Sequence, residues 1–146
     1  MNPMIHRGCL MLCLGLAASS IACSKTGLVP IQGEVKFADG QPLANGRVVL
    51  HNRNPKAKVS SWGLIHPDGS FTLGTFDVDD GVPPGRYLVS IQNAESLPPA
   101  DWGDRVFQAQ PLIDPRFSDP EQSELIFEVP GDSSHWEITV QPPAGR

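Results

Sequence analysis

The sequence predicts an all-β fold: seven short strands in two packed antiparallel sheets, a β-sandwich. Three observations lead there. Apolar and polar residues alternate in short runs, as in Phe71 and Leu73 against Ser70 and Thr72, the period of a half-buried strand. The runs are separated by Pro67-Asp68-Gly69, Pro83-Pro84-Gly85 and Pro130-Gly131-Asp132, where Pro presets φ and Gly takes the positive-φ position of a tight turn. No amphipathic helical pattern of useful length occurs outside the N-terminus.

The strands follow in order. Residues 31–37 form the first, with Ile31, Val35 and Phe37 inward and Gln32, Glu34 and Lys36 outward. A turn over residues 38–44 leads to residues 47–51, where Val48 and Leu50 are the core positions. A polar loop, 52–60, precedes a third strand at 62–66, whose inward face stays unassigned because Trp62, Leu64 and Ile65 do not alternate. Residues 70–74 and 85–91 are two turn-then-strand units, expected side by side at the centre of one antiparallel sheet. In the second, Tyr87, Val89 and Ile91 point inward and Arg86, Leu88 and Ser90 outward.

Residues 93–123 hold five prolines and no convincing strand. A loop of 31 residues is long for a compact domain and is expected to be functional or ordered by itself. Near its end, Asp119-Pro120-Glu121-Gln122 reads as N-cap, Pro at the first helical position and a capping-box Gln, hence one helical turn. Two strands follow, residues 125–129 and a last one with Trp136, Ile138 and Val140 inward. The expected core joins Phe71, Leu73, Tyr87, Val89, Ile91, Phe127 and Ile138.

Residues 1–22 have the layout of an export signal: Arg7 in a short positive region, an apolar run over residues 8–18, and the small-residue segment Ser19-Ser20-Ile21-Ala22. Eleven residues at ~1.5 Å each cover about half of a ~30 Å hydrocarbon core, too little for a spanning helix. Ser20-Ile21-Ala22-Cys23 resembles the lipobox of bacterial lipoproteins, in which the Cys thiol accepts a diacylglyceryl group and becomes the first residue; Ser20 stands where Leu is commonest. The alternative is an ordinary signal peptide cut after Ala22, giving a secreted protein. Cys9 and Cys13 lie within the removed segment, so Cys23 alone remains and no intramolecular disulfide can form. Acylation accounts for that lone thiol.

The mature chain, 23–146, divides into a tether (23–30), the sandwich domain (31–140, containing the 93–123 loop) and a tail (141–146). It retains ten of the 11 Lys and Arg and all 16 Asp and Glu, a formal charge of −6. With no basic run, nucleic acid is an unfavoured partner.

A family resemblance rests on motifs in order. Gly33-Glu34-Val35, Asp39-Gly40-Gln41-Pro42-Leu43, Asp68-Gly69-Ser70-Phe71-Thr72-Leu73 and Pro84-Gly85-Arg86-Tyr87 resemble carboxypeptidase regulatory-like domains, the transthyretin-like sandwiches. The closer similarity is to short bacterial lipoproteins carrying one such domain, through Gly74-Thr75-Phe76, the segment from Asp80 to Tyr87, and that from Phe117 to Ser123. The resemblance covers residues 31–140. It implies a non-catalytic accessory or interaction domain, without a cofactor, held at a membrane by its N-terminal lipid and facing the periplasm.

Enzyme signatures are missing from the sequence: no Gly-x-Ser-x-Gly elbow, no phosphate loop, no His-Glu-x-x-His and no Cys pair. His51, His66 and His135 lack metal-ligand spacing and read as solvated or edge histidines. Asp77, Asp79 and Asp80 before Gly81 resemble half of a calcium loop, but Leu88 stands where the twelfth-position Glu belongs; an acidic turn is the favoured reading. Trp102, in the long loop, is an interaction candidate, through sugar stacking or a protein contact, or else a pin holding the loop to the sandwich. The leading expectation is a non-enzymatic, lipid-anchored envelope domain that engages a protein or glycan. The alternatives are a structural spacer without specific ligand, and a small hydrolase assembled from Ser, His and Asp of separate loops.

Overall fold

Alternating side chains become paired strands in the computed structural model, which describes residues 27–54, 59–131 and 134–145. The chain is all-β. In order come β1 (Gln32–Phe37), β2 (Arg47–Asn52), β3 (Ser61–Leu64), β4 (Ser70–Thr72), β5 (Gly85–Gln92), a 3₁₀ turn (Pro115–Ser118), β6 (Ile126–Val129) and β7 (His135–Val140). Two sheets result, a three-stranded one ordered β4-β1-β7 and a four-stranded one ordered β3-β2-β5-β6. No helix among the described residues is long and apolar enough to cross a membrane.

Both sheets contribute to one core. Val35, Phe71, Ile138 and Val140 come from the first, and Val48, Leu50, Tyr87, Val89, Ile91, Phe127 and Val129 from the second. Trp136 of β7 stacks on Phe127 of β6, with ring centroids 4.3 Å apart. It also meets Phe71 of β4 edge to face at 6.4 Å, an arrangement favoured by the ring quadrupole. All seven expected core residues are buried.

The pairing departs from expectation in two ways. First, β4 and β5 are not neighbours: β4 pairs with β1, while β5 lies between β2 and β6. The residues between them carry the chain from one sheet to the other, a long-range choice that local alternation does not encode. Second, the sheets are not wholly antiparallel. β1 and β7 run parallel, with Gln32 opposite His135 and Phe37 opposite Val140.

β3 runs Ser61–Leu64 and inverts the usual pattern: Ser61 and Gly63 are buried, while Trp62 and Leu64 are 40% and 58% exposed. Gly63 is required there, since a Cβ would collide with the Thr72 carbonyl oxygen. Ser90, expected outward, is buried and hydrogen bonds the His51 ring. The expected helical turn at 119–122 lies one turn earlier. Asp114 caps the 3₁₀ turn by accepting from the Arg116 amide at 3.0 Å. Asp119 instead closes a tight turn by accepting from the Glu121 amide at 2.9 Å.

Candidate functional site

The long loop is fastened at its base and folded on itself at its tip. Asn93 takes a positive φ of 56° at the end of β5. Ala94 is then buried, and Glu95 bridges to Pro111. The Leu112 amide donates to the Ala94 carbonyl and the Ser96 amide to the Gln110 carbonyl, both at 2.8 Å. Asn45 clamps the base from a neighbouring turn, donating to the Glu95 carbonyl at 2.8 Å. The returning limb enters the core through Ile113 and Phe117. The buried Ser123 hydroxyl donates to the Val89 carbonyl at 2.5 Å.

Trp102 organises the tip. Its indole N–H donates to the Arg105 carbonyl at 3.1 Å, and Arg105 Nε returns a bond of 2.7 Å to the Trp102 carbonyl. The guanidinium lies 4.5 Å over the indole, and Phe107 packs against it edge to face at 5.4 Å. Trp102 thus pins the loop to itself rather than to the sheets. Around this cluster Leu97 is 68% exposed and Val106 94%. A groove of about 420 Å³ lies near the base, lined by Phe37, Ala38, Asp39, Leu112 and Pro142.

The acidic stretch is a self-capped turn. Asp80 accepts from the Thr75, Phe76 and Asp77 amides at 2.6, 3.2 and 3.1 Å. These bonds, Thr75 first, hold its carboxyl below the ordinary aspartate range. Asp77 accepts from the Val78 amide at 2.8 Å, and Asp79 has a positive φ of 60°. The three carboxylates therefore do not converge on a common point; Asp80 is committed to backbone donors.

Histidines reveal two arrangements that their sequence spacing did not. His51 Nε2 lies 2.9 Å from Ser90 Oγ, the separation of a nucleophile–base pair. Yet Ser90 is fully buried, and among the described residues no carboxylate is bonded to the His51 ring. Burial alone lowers the imidazole pKa, so this is a core hydrogen bond. The second is Glu34, His135 and Glu137, whose ligand atoms lie within 4.8 Å of one another. Parallel pairing of β1 with β7 sets Glu34 opposite Glu137, a register no local spacing discloses. Lys36 Nζ already lies between the carboxylates, 3.0 Å from Glu34 and 2.9 Å from Glu137. The Glu137 bond chiefly raises the lysine pKa, and the same bond lowers that of Glu137. The single ammonium bridges both carboxylates and offsets one of their two charges, in a solvated ion-pair cluster of small energetic weight.

An exposed apolar patch was also missed. Trp62, Phe76 and Val78 line a shared depression, and Trp62, Leu64 and Val78 line an adjoining one. Phe76 and Val78 are 71% and 73% exposed. The strict small–large alternation of Ser61-Trp62-Gly63-Leu64 was the available signal. It reads correctly once large residues are allowed outward. Cys23, the lipidation candidate, lies outside the described residues. No protein-family model, curated protein or solved structure matches this chain.

Proposed function

We propose that the mature chain is a non-catalytic interaction domain, held at a bacterial membrane by acyl chains on Cys23, facing the periplasm, and engaging a protein through the tip of its long loop. The two sheets are read as a transthyretin-like sandwich, with seven strands covering the shared core. Support for the anchor is the export-signal layout followed by Ser20-Ile21-Ala22-Cys23. Two or three acyl chains exceed the single chain that gives only reversible attachment.

One observation carries the binding role: the tip is built around Trp102, Arg105 and Phe107 without lending a side chain to the core. Ordering a segment costs roughly 1–2 kcal/mol per residue in backbone entropy, and this segment adds nothing to the core in return. Preorganisation of that kind favours binding, because less order is left to impose on association. The occupant is read as protein rather than glycan. Arg105 lies over the indole and Phe107 packs on it, leaving little ring for a sugar to stack on, whereas Leu97 and Val106 present apolar side chains outward.

The test is site-specific photocrosslinking in the envelope, with the photoreactive group at Val106. A discrete adduct that disappears when Trp102 and Arg105 are both replaced by Ala, with the photoreactive group kept at Val106, is the expected result. An adduct pattern unchanged by that replacement would reject the loop as the contact.

A further inference from the structure

The point at which the N-terminal segment meets the domain lies beside the exposed apolar patch. Leu28 is buried, and Val29 exchanges two backbone hydrogen bonds of 2.9 Å with Val82. Gly81 packs so closely on Val29 that a Cβ there would lie 2.7 Å from its carbonyl oxygen. Val82 ends the turn that carries Phe76 and Val78. That turn is closed by Thr75, whose hydroxyl donates to the Gly81 carbonyl at 2.6 Å and lies 2.8 Å from Ser61 Oγ on β3. The strand bearing Trp62 and the turn bearing Phe76 and Val78 are thus bonded into one edge, and Val29 is tied to that edge through Val82.

We propose that Trp62, Phe76 and Val78 form a membrane-contact surface that rests on the acyl-chain interface next to the Cys23 anchor. This inference depends on the lipid-anchor reading and adds the orientation of the domain. Cys23 is six residues from Val29, a reach of at most about 20 Å for extended chain. So short a tether holds this edge at the lipid surface. The second contact is then intramolecular, and an effective concentration in the millimolar range lets a patch too small to bind vesicles alone stay engaged. Its chemistry suits that layer: tryptophan is favoured at the membrane–water interface, and two apolar side chains project at the tip. Asp77 and Asp79 flank Val78, so zwitterionic headgroups are the matching surface. The far end of β1, near Gln41, points roughly 20 Å away along the strand.

The experiment expresses the full chain in a bacterium, purifies the processed protein and reconstitutes it in phosphatidylcholine vesicles. Mass spectrometry of the N-terminal peptide reports the state of Cys23 independently of the patch. Two variants, Val78→Cys and Gln41→Cys, each carry an environment-sensitive fluorophore on the single free thiol left once Cys23 is acylated. On reconstitution, the position-78 probe is expected to shift to the blue and brighten several-fold. Nitroxide-labelled lipid should quench it, and the position-41 probe should stay unchanged. With Cys23 acylated, a position-78 probe that stays in water overturns the contact and leaves the anchor standing. A shift that follows protein density and resists lipid quenching overturns it in favour of self-association. An unmodified Cys23 removes the anchor, and with it the reason for this orientation.

Discussion

At the scale of single residues, burial and close approach set what can change. Phe71 is 1% exposed and supports Trp136 from the side. Phe71→Ala is expected to destabilise by about 3–5 kcal/mol, enough to threaten a marginal domain, measured by urea denaturation. Gly33 is more constrained, because a Cβ would collide with the Trp136 carbonyl oxygen in the β1–β7 ladder. His51 supplies a pH effect whose sign follows from its lowered pKa. Above the ordinary value of 6.5 the ring is neutral in both states, and its contribution is complete. As the pH falls through the lowered folded value, the unfolded chain has already bound a proton and that contribution is lost. Melting temperature should therefore fall as the pH drops below 6.5, and fall less in His51→Gln. Equal slopes for the two proteins would remove His51 from the account.

At the scale of elements, the long loop divides into parts with opposite expectations. Its two limbs belong to the core: Ala94 and Ile113 are 6% and 2% exposed. A deletion of residues 94–114 is thus expected to unfold the protein. Ile113→Ala is expected to destabilise by about 2–5 kcal/mol, whereas replacing 97–109 should leave the melting transition within about 1 kcal/mol of the parent; calorimetry of both variants checks the division. The same contrast shows what was legible beforehand. Val48, Leu50, Tyr87, Val89, Ile91 and Ile138 are legible as inward because large apolar residues recur at every second position of their strands. Ile113 and Phe117 are not, since single buried residues in irregular chain carry no period. The face of β3 was hidden because its inward residues are Ser61 and Gly63, selected for closeness to β4 and not for hydrophobicity.

At the scale of the whole molecule, the two sheets are expected to unfold together. Trp136 is wedged between Phe127 of one sheet and Phe71 of the other, so neither sheet can part without exposing the same rings. A single cooperative transition, coincident by far-UV circular dichroism and by indole fluorescence, is the expected outcome. Separate transitions for backbone and side-chain signals would mean that the sheets hold independent cores. The Glu34–His135–Glu137 grouping and the anchoring of Val29 to Val82 belong to this scale too. Both are products of strand partnership, which is why neither could be read from spacing along the chain.

The parallel union of β1 with β7 also fixes an order of events. A polypeptide is synthesised from its N-terminus, so β1 is made before β2 to β6, and the strand that completes its sheet, His135–Val140, only after them. Until then one flank of β1 has no partner, and Trp136 has not arrived between Phe71 and Phe127. The three-stranded sheet therefore cannot be completed until every other strand of the fold has been made.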